Sequence, residues 1–260
     1  MKAVILAGGL GTRMREETEF RPKPMVEVGG KPVLWHIMKI FAQQGITDFV
    51  ILTGYKGEII KRYFLEYAMM NLDFRVEIGS DSKSAIEYFG SHEEAGWTVT
   101  VLDTGELTLT GERILLAKEH IGTDPFFITY GDGIANVNLK ELLAVHSRTG
   151  ASLTISTAKP RSRFGVVAMS SQSDMVERFL EKPEGTELVN IGYMVASFSL
   201  FDYLEPGVAL EDAPIARLAE NGLLAACNHS GYWQAMDTIR ELQILNKDWN
   251  HGSPAWATPL

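Results

Sequence analysis

Four places in this chain carry residues whose types and spacing can do chemistry. The first is Gly8-Gly9-Leu10-Gly11-Thr12-Arg13, followed by Lys23 between two prolines in Arg21-Pro22-Lys23-Pro24. Three glycines in four positions let a backbone come close to a ligand, and their N–H groups can cradle an anion. Pro22 and Pro24 restrict the chain around Lys23 and make it a placed charge rather than a waving one. The second and third places are Asp132, between Gly131 and Gly133, and Asp237, in Trp233-Gln234-Ala235-Met236-Asp237-Thr238. A carboxylate pair can hold Mg²⁺, which takes one or two carboxylates and completes its shell with water and substrate phosphates. The fourth is Glu181-Lys182-Pro183. Each has a plainer reading: a solvated basic turn, an aspartate serving as a helix N-cap, and an exposed charged loop.

Several chemistries are excluded. The glycine loop lacks the Gly-Lys-Ser/Thr of a Walker loop, and Met14 stands where a dinucleotide fingerprint needs its third glycine. The six histidines show no zinc-ligand spacing, and Cys227, the only cysteine, reads as a small buried hydrophobe without a disulfide partner. A net charge of −9 argues against nonspecific nucleic-acid binding. Polyanionic ligands need a local basic site, and residues 1–31 supply one with a charge of +2. No apolar run approaches a membrane span, so a cytoplasmic protein without membrane contact is expected.

The elements that must position these residues follow from hydropathy. Ala3–Ala7 is a buried strand that delivers the glycine loop at its carboxyl end, where open α/β sheets bind ligands. Lys31–Gln44 is an amphipathic helix ended by Gly45, Asp48–Thr53 a strand, and Lys56–Met70 a second helix, which implies parallel βαβ units. Strands are expected at Phe74–Ile78, Trp97–Asp103 and Pro125–Tyr130, with a helix at Gly111–His120 and a polar excursion without a pattern over residues 81–96. The second half is richer in strands: Ser152–Ala158, an antiparallel pair Gly165–Ala168 and Met175–Leu180, and Val189–Ser197. Helices are expected at Asn138–Ser147, with Asn138 as N-cap, at Glu211–Asn221 and at Thr238–Asn250, before an irregular tail. The 45% apolar and 22% charged composition is that of a globular protein, and the expected class is α/β: a mixed, mostly parallel sheet flanked by helices, in one domain over residues 1–260.

Leu6-Ala7-Gly8-Gly9-Leu10-Gly11-Thr12-Arg13 followed by Pro22-Lys23-Pro24-Met25 resembles the signature of the sugar-nucleotide pyrophosphorylases, nucleotidyltransferases that join a sugar 1-phosphate to a nucleoside monophosphate. The likeness continues through Gly29-Gly30-Lys31-Pro32, Tyr130-Gly131-Asp132-Gly133, Arg163-Phe164-Gly165, Glu181-Lys182-Pro183 and Trp233 to Thr238, nearly the whole chain. It implies the Rossmann-like nucleotide-diphospho-sugar transferase fold, with residues 1–135 as the nucleotide half and residues 136–260 as a β-rich sugar half. It further implies Leu6, Ala7, Gly8, Gly9, Gly11, Thr12, Arg13, Lys23, Thr104, Arg113 and Gly131 on the nucleotide, with Arg13, Lys23 and Asp132 catalytic. Gly165, Glu181, Lys182 and Asn190 would hold the sugar phosphate, and Asp132 and Asp237 would hold Mg²⁺. Glu16-Glu17-Thr18, Trp35-His36-Ile37-Met38, Gly54-Tyr55-Lys56-Gly57 and Leu102-Asp103-Thr104-Gly105 are similar to the cytidylyl branch, which implies CTP and glucose 1-phosphate as substrates; dTTP, UTP or another hexose 1-phosphate is the alternative. Asn190-Ile191-Gly192-Tyr193 departs from the Asn-Gly-Gly-Phe usual in the family. A noncatalytic regulatory subunit would lack Arg13, Lys23 or a carboxylate, and all are present. The family implies a homo-oligomer.

Overall fold

The computed structural model describes residues 1–78, 86–160, 164–181, 183 and 185–258. Arg163, Lys182 and part of the 81–96 excursion lie outside the described residues. A seven-stranded sheet runs through the molecule: β1 (Lys2–Ala7), β2 (Asp48–Thr53), β3 (Thr98–Asp103), β4 (Phe126–Tyr130), β5 (Leu153–Ala158), β6 (Val189–Ala196) and β7 (Leu224–Asn228). Their order is β7-β5-β6-β4-β1-β2-β3. Four neighbouring pairs are parallel, and only the two pairs made by β6 are antiparallel. The class is the α/β one expected.

Both faces of the central strands are covered, which is why they read as unbroken apolar runs. Along β1, Ala3, Ile5 and Ala7 pack into one core while Val4 and Leu6 pack into the other. The same alternation places Phe49 and Ile51 on the first face and Val50 and Leu52 on the second, as the two-residue period of a strand requires. The helix Val33–Ala42 covers the first face with Leu34, Ile37, Met38 and Phe41.

The helical stretch expected over Lys56–Met70 is two helices, Gly57–Leu65 and Tyr67–Asn71, divided at Glu66, whose φ of −93° and ψ of 3° leave the helical region. The one expected over Gly111–His120 divides likewise at Ala117, into Thr110–Leu116 and Lys118–Ile121. The apolar face continues through both breaks, so spacing alone could not reveal them. The helices Leu139–Thr149, Ala213–Glu220 and Ile239–Asn250 stand where expected, and Asn138 caps the first by accepting from Glu141 N at 3.0 Å.

Among the described residues, four two-stranded ribbons flank the sheet. Val166–Met169 with Val176–Leu180 is the antiparallel pair read from the sequence. Glu27–Val28 with Lys31–Pro32, Asp73–Val76 with Ile86–Phe89, and Gly133–Ala135 with Trp233–Ala235 were not fully legible, nor was the edge strand β7. Cys227, in β7, is half-buried against the core, and burial raises its thiol pKa. Among the described residues, no helix is long and apolar enough to cross a membrane.

Candidate active site

Everything the sequence singled out at the amino end converges at the carboxyl ends of β1 and β4. Gly131 N donates to Leu6 O at 2.9 Å, which ties the two strand ends together. Pro22 leads extended into a tight turn, Lys23–Met25, so the Lys23 side chain leaves a rigid corner. Beyond Asp132 the chain enters the Gly133–Ala135 ribbon, whose partner strand delivers Asp237 alongside: Met236 N donates to Asp132 O at 2.8 Å. The two carboxylates thus meet across a gap of more than a hundred residues.

Lys23 Nζ lies between them, 2.6 Å from Asp132 Oδ2 and 2.6 Å from Asp237 Oδ1. Arg13 Nη1 donates to the other Asp237 oxygen at 2.9 Å. Burial pulls the Lys23 ammonium pKa down, but the two carboxylates outweigh it and hold the pKa above the ordinary 10.5. Asp237 is not the helix N-cap that its position suggested. Thr238 takes that role, accepting from Glu241 N at 3.3 Å, while Glu241 Oε2 accepts from Asp237 N at 2.8 Å. This arrangement resembles a capping box, and its Thr-x-x-Glu spacing was present in the sequence. Capping is thus left to Thr238, while the Asp237 carboxylate bonds Lys23 and Arg13.

A cavity of about 630 Å³ opens beside this cluster, within the size range of small-ligand sites. Its wall includes Leu6, Ala7, Gly8, Gly9, Gly11, Thr12, Arg13, Lys23, Arg113, Gly131, Asp132 and Asp237 from the expected set. Glu106 to Thr110, Ala209 and Glu211 also line it, and no motif had marked them; Tyr130, from the Tyr130-Gly131-Asp132-Gly133 motif, lines it too. Ala209, Glu211 and Asp237 come from beyond residue 135, so the cavity draws on both stretches of the chain, 1–135 and 136–260.

Arg113 is buried and acts inside the wall. Its Nη1 donates to Thr53 O, Thr104 Oγ1 and Gly105 O at 2.9, 2.6 and 2.6 Å, and its Nη2 to Gly8 O and Glu106 O at 3.1 Å each. Burial lowers the pKa of its guanidinium. A side chain at Gly8 could not coexist with this guanidinium, since a Cβ there would fall 2.3 Å from Arg113 Cζ. Thr104 is buried behind it, its hydroxyl donating to Thr53 O at 2.8 Å.

The residues expected on the sugar side sit elsewhere. Gly165 and Glu181 face each other in the Val166–Met169/Val176–Leu180 ribbon region, where a Cβ on Gly165 would lie 3.3 Å from Glu181 Oε2. Asn190, at the start of β6, accepts from Gly192 N at 2.9 Å. Neither these three nor Thr104 lines the cavity, and Lys182 is outside the described residues.

A glycine-lined pocket with a lysine, an arginine and two carboxylates at its mouth can bind a polyphosphate and a hard cation together. Comparisons with known proteins agree with that chemistry. The sequence profile of nucleotidyl transferases matches residues 2–234. The chain is 43% identical over 258 residues to the probable glucose-1-phosphate cytidylyltransferase of Bacillus subtilis, covering 98% of this chain and 99% of that one. It is 41% identical over 261 residues to the glucose-1-phosphate cytidylyltransferase of Salmonella typhi, covering 99% of each. The fold matches the UDP-glucose pyrophosphorylase from Acinetobacter baumanii with a TM-score of 0.68 at 18% identity, over 98% of this chain and 95% of that structure. The chain belongs to the nucleotidyl transferase family, with glucose-1-phosphate cytidylyltransferases as its full-length relatives.

Proposed function

We propose that this protein transfers a cytidylyl group from CTP to α-D-glucose 1-phosphate, giving CDP-glucose and pyrophosphate. The observation that carries the reading is Lys23 Nζ, held 2.6 Å from both Asp132 and Asp237 beside the glycine loop. Full-length relatives at 41% identity and above support the choice of substrates.

In the reaction a sugar-phosphate oxygen attacks the α-phosphorus in line, and the bond from that phosphorus to the bridging oxygen of pyrophosphate breaks. The nucleophile is already an anion, so no general base is needed. The barrier lies in bringing two polyanions together and stabilising the leaving charge. Lys23 answers the first requirement with a fixed cation between the carboxylates. Arg13, exposed at the mouth, can leave Asp237 for the β and γ phosphates. The loop Gly8 to Thr12 presents backbone N–H groups, and Arg113 braces that loop against residues 104–106 from behind.

Asp132 and Asp237 suit Mg²⁺: both present oxygen ligands, and both already converge on one cationic nitrogen. Among the described residues no cluster of three or more protein metal ligands occurs, which fits an ion that draws its remaining ligands from phosphates and water. When bound there, Mg²⁺ polarises the α-phosphate. Glu181, Lys182, Asn190 and Gly165 are assigned to the sugar phosphate by resemblance. We also take residues 1–260 to work as one domain and as a homo-oligomer.

A pyrophosphate-release assay with glucose 1-phosphate and each of CTP, UTP, dTTP and GTP tests the reading. A clear preference for CTP is expected; preference for dTTP or UTP would move the protein to another branch. No release with any of them would favour the noncatalytic alternative.

A further inference from the structure

Of the two glutamates in the cavity wall, Glu106 and Glu211, neither has a carboxylate role in the mechanism above. Glu211 precedes the helix Ala213–Glu220 and is held from two sides: the Tyr130 hydroxyl donates to Oε1, and Thr110 Oγ1 donates to Oε2 at 2.5 Å. The segments carrying Thr110 and Glu211 are themselves bound together. Leu210 N donates to Thr110 Oγ1 at 2.9 Å, and Gly207 N donates to Glu112 Oε2 at 3.1 Å. Tyr130 is fixed in turn by Gly192, which has a φ of +86° and no room for a side chain, since a Cβ would lie 2.4 Å from Tyr130 Cδ2. The carboxylate is therefore presented in one orientation by three separate parts of the chain.

An ionised carboxylate only accepts hydrogen bonds, and two hydroxyl donors leave it with further lone pairs. Its charge repels phosphate, and the phosphate-binding cations, Arg13 and Lys23, are engaged with Asp132 and Asp237 instead. The part of a nucleoside triphosphate that can face Glu211 is therefore the nucleoside. Its donors are the exocyclic amine of cytosine and the ribose hydroxyls. Uracil and thymine place a carbonyl oxygen where cytosine has the amine, and that oxygen would confront a negative acceptor.

We propose that Glu211, oriented by Tyr130 and Thr110, accepts a hydrogen bond from the nucleoside of the bound triphosphate and is a specificity-determining residue of this enzyme. The proposal rests on the cytidylyltransferase reading and adds to it the group that tells one nucleoside from another.

The test measures kcat and KM for CTP, UTP and dCTP at saturating glucose 1-phosphate, in the wild type, Glu211→Ala and Glu211→Leu. If the wild type does not prefer CTP, the cytidylyltransferase reading fails on its own account. Where it does, an amine contact predicts that Glu211→Ala lowers the CTP/UTP ratio of kcat/KM by about tenfold or more, chiefly through KM for CTP. A ribose contact predicts a collapse of the CTP/dCTP ratio instead, with CTP/UTP retained. Ratios are the decisive readout because loosening of the wall would slow all three substrates alike. Should Glu211→Ala fail to fold, Glu211→Leu, which keeps bulk but has no acceptor, is read by the same ratios. Both ratios unchanged in a folded variant would overturn the proposal.

Discussion

Replacing Lys23 by methionine keeps the length of the side chain and removes its charge. The lysine makes two short charge-assisted contacts, 2.6 Å each, from a rigid corner where its side chain is only 12% exposed. Removing one preorganised donor at a site of developing charge costs about 10²–10³ in kcat, or roughly 3–4 kcal/mol. Lys23 is proposed to serve two polyanions at once, so the upper part of that range is expected. Stability should change less. Asp132 and Asp237 retain 35% and 25% exposure, so water can take over part of what the ammonium provided. A loss of roughly 1–2 kcal/mol, a few degrees in Tm, is the expectation. The lysine pKa is held above 10.5, so its contribution to stability is complete below that value and vanishes only as pH climbs through the higher folded value. Single-turnover pyrophosphate release with CTP and glucose 1-phosphate, alongside circular dichroism, is the assay. A folded Lys23→Met variant within threefold of the wild-type rate would refute the assignment.

Arg113→Lys retains a charge, but an ammonium has three donors and cannot span the five acceptors that the guanidinium bridges. Faster amide exchange over residues 104–109 and a KM for the triphosphate raised about tenfold are expected; unchanged exchange would argue against the bracing role. Thr238→Ala removes the cap beside Asp237 and should cost about 1 kcal/mol in urea denaturation, with a fall in kcat larger than that loss explains. An unaltered kcat would show that the cap does not orient Asp237. Burial holds the pKa values of His36 and His146 below 6.5, so the unfolded chain takes up protons first as pH falls. Unfolding midpoints in urea should therefore drop between about pH 7.5 and about pH 5.5, and His146→Gln should flatten the slope. A slope identical to wild type would exclude His146 as a contributor.

The strand ends were legible because both faces of β1, β2 and β4 are covered, leaving apolar runs that glycine or a charged residue interrupts abruptly. Lys23 stood out through its flanking prolines and Asp132 through its flanking glycines. Their meeting with Asp237 left no mark in spacing or periodicity and was implied by the family resemblance alone. It depends on the three-residue ribbon Gly133–Ala135/Trp233–Ala235, whose pairing joins segments a hundred residues apart and leaves no periodic mark. Glu211 escaped notice for a related reason: its significance comes from Tyr130 and Thr110, neither near it in sequence. The Thr238–Glu241 spacing could have been read as a capping box, which would have released Asp237 from the capping role sooner. The breaks at Glu66 and Ala117 are single-residue dihedral changes inside continuous apolar patterns, and such patterns do not record them.

The span of the ion-pair cluster has a kinetic side. Lys23 meets Asp132 across 109 positions and Asp237 across 214. Contacts between such remote residues form late, because long loops must close before the contacts can contribute. The early strands and helices can collapse while Lys23 still lacks both carboxylates. During refolding, burial of Trp35 and Trp97 should run ahead of recovered catalysis. On a ribosome, the pocket would stay chemically silent until the segment bearing Asp237 emerged, so an abortive fragment would fold its first strands without turning over nucleotide.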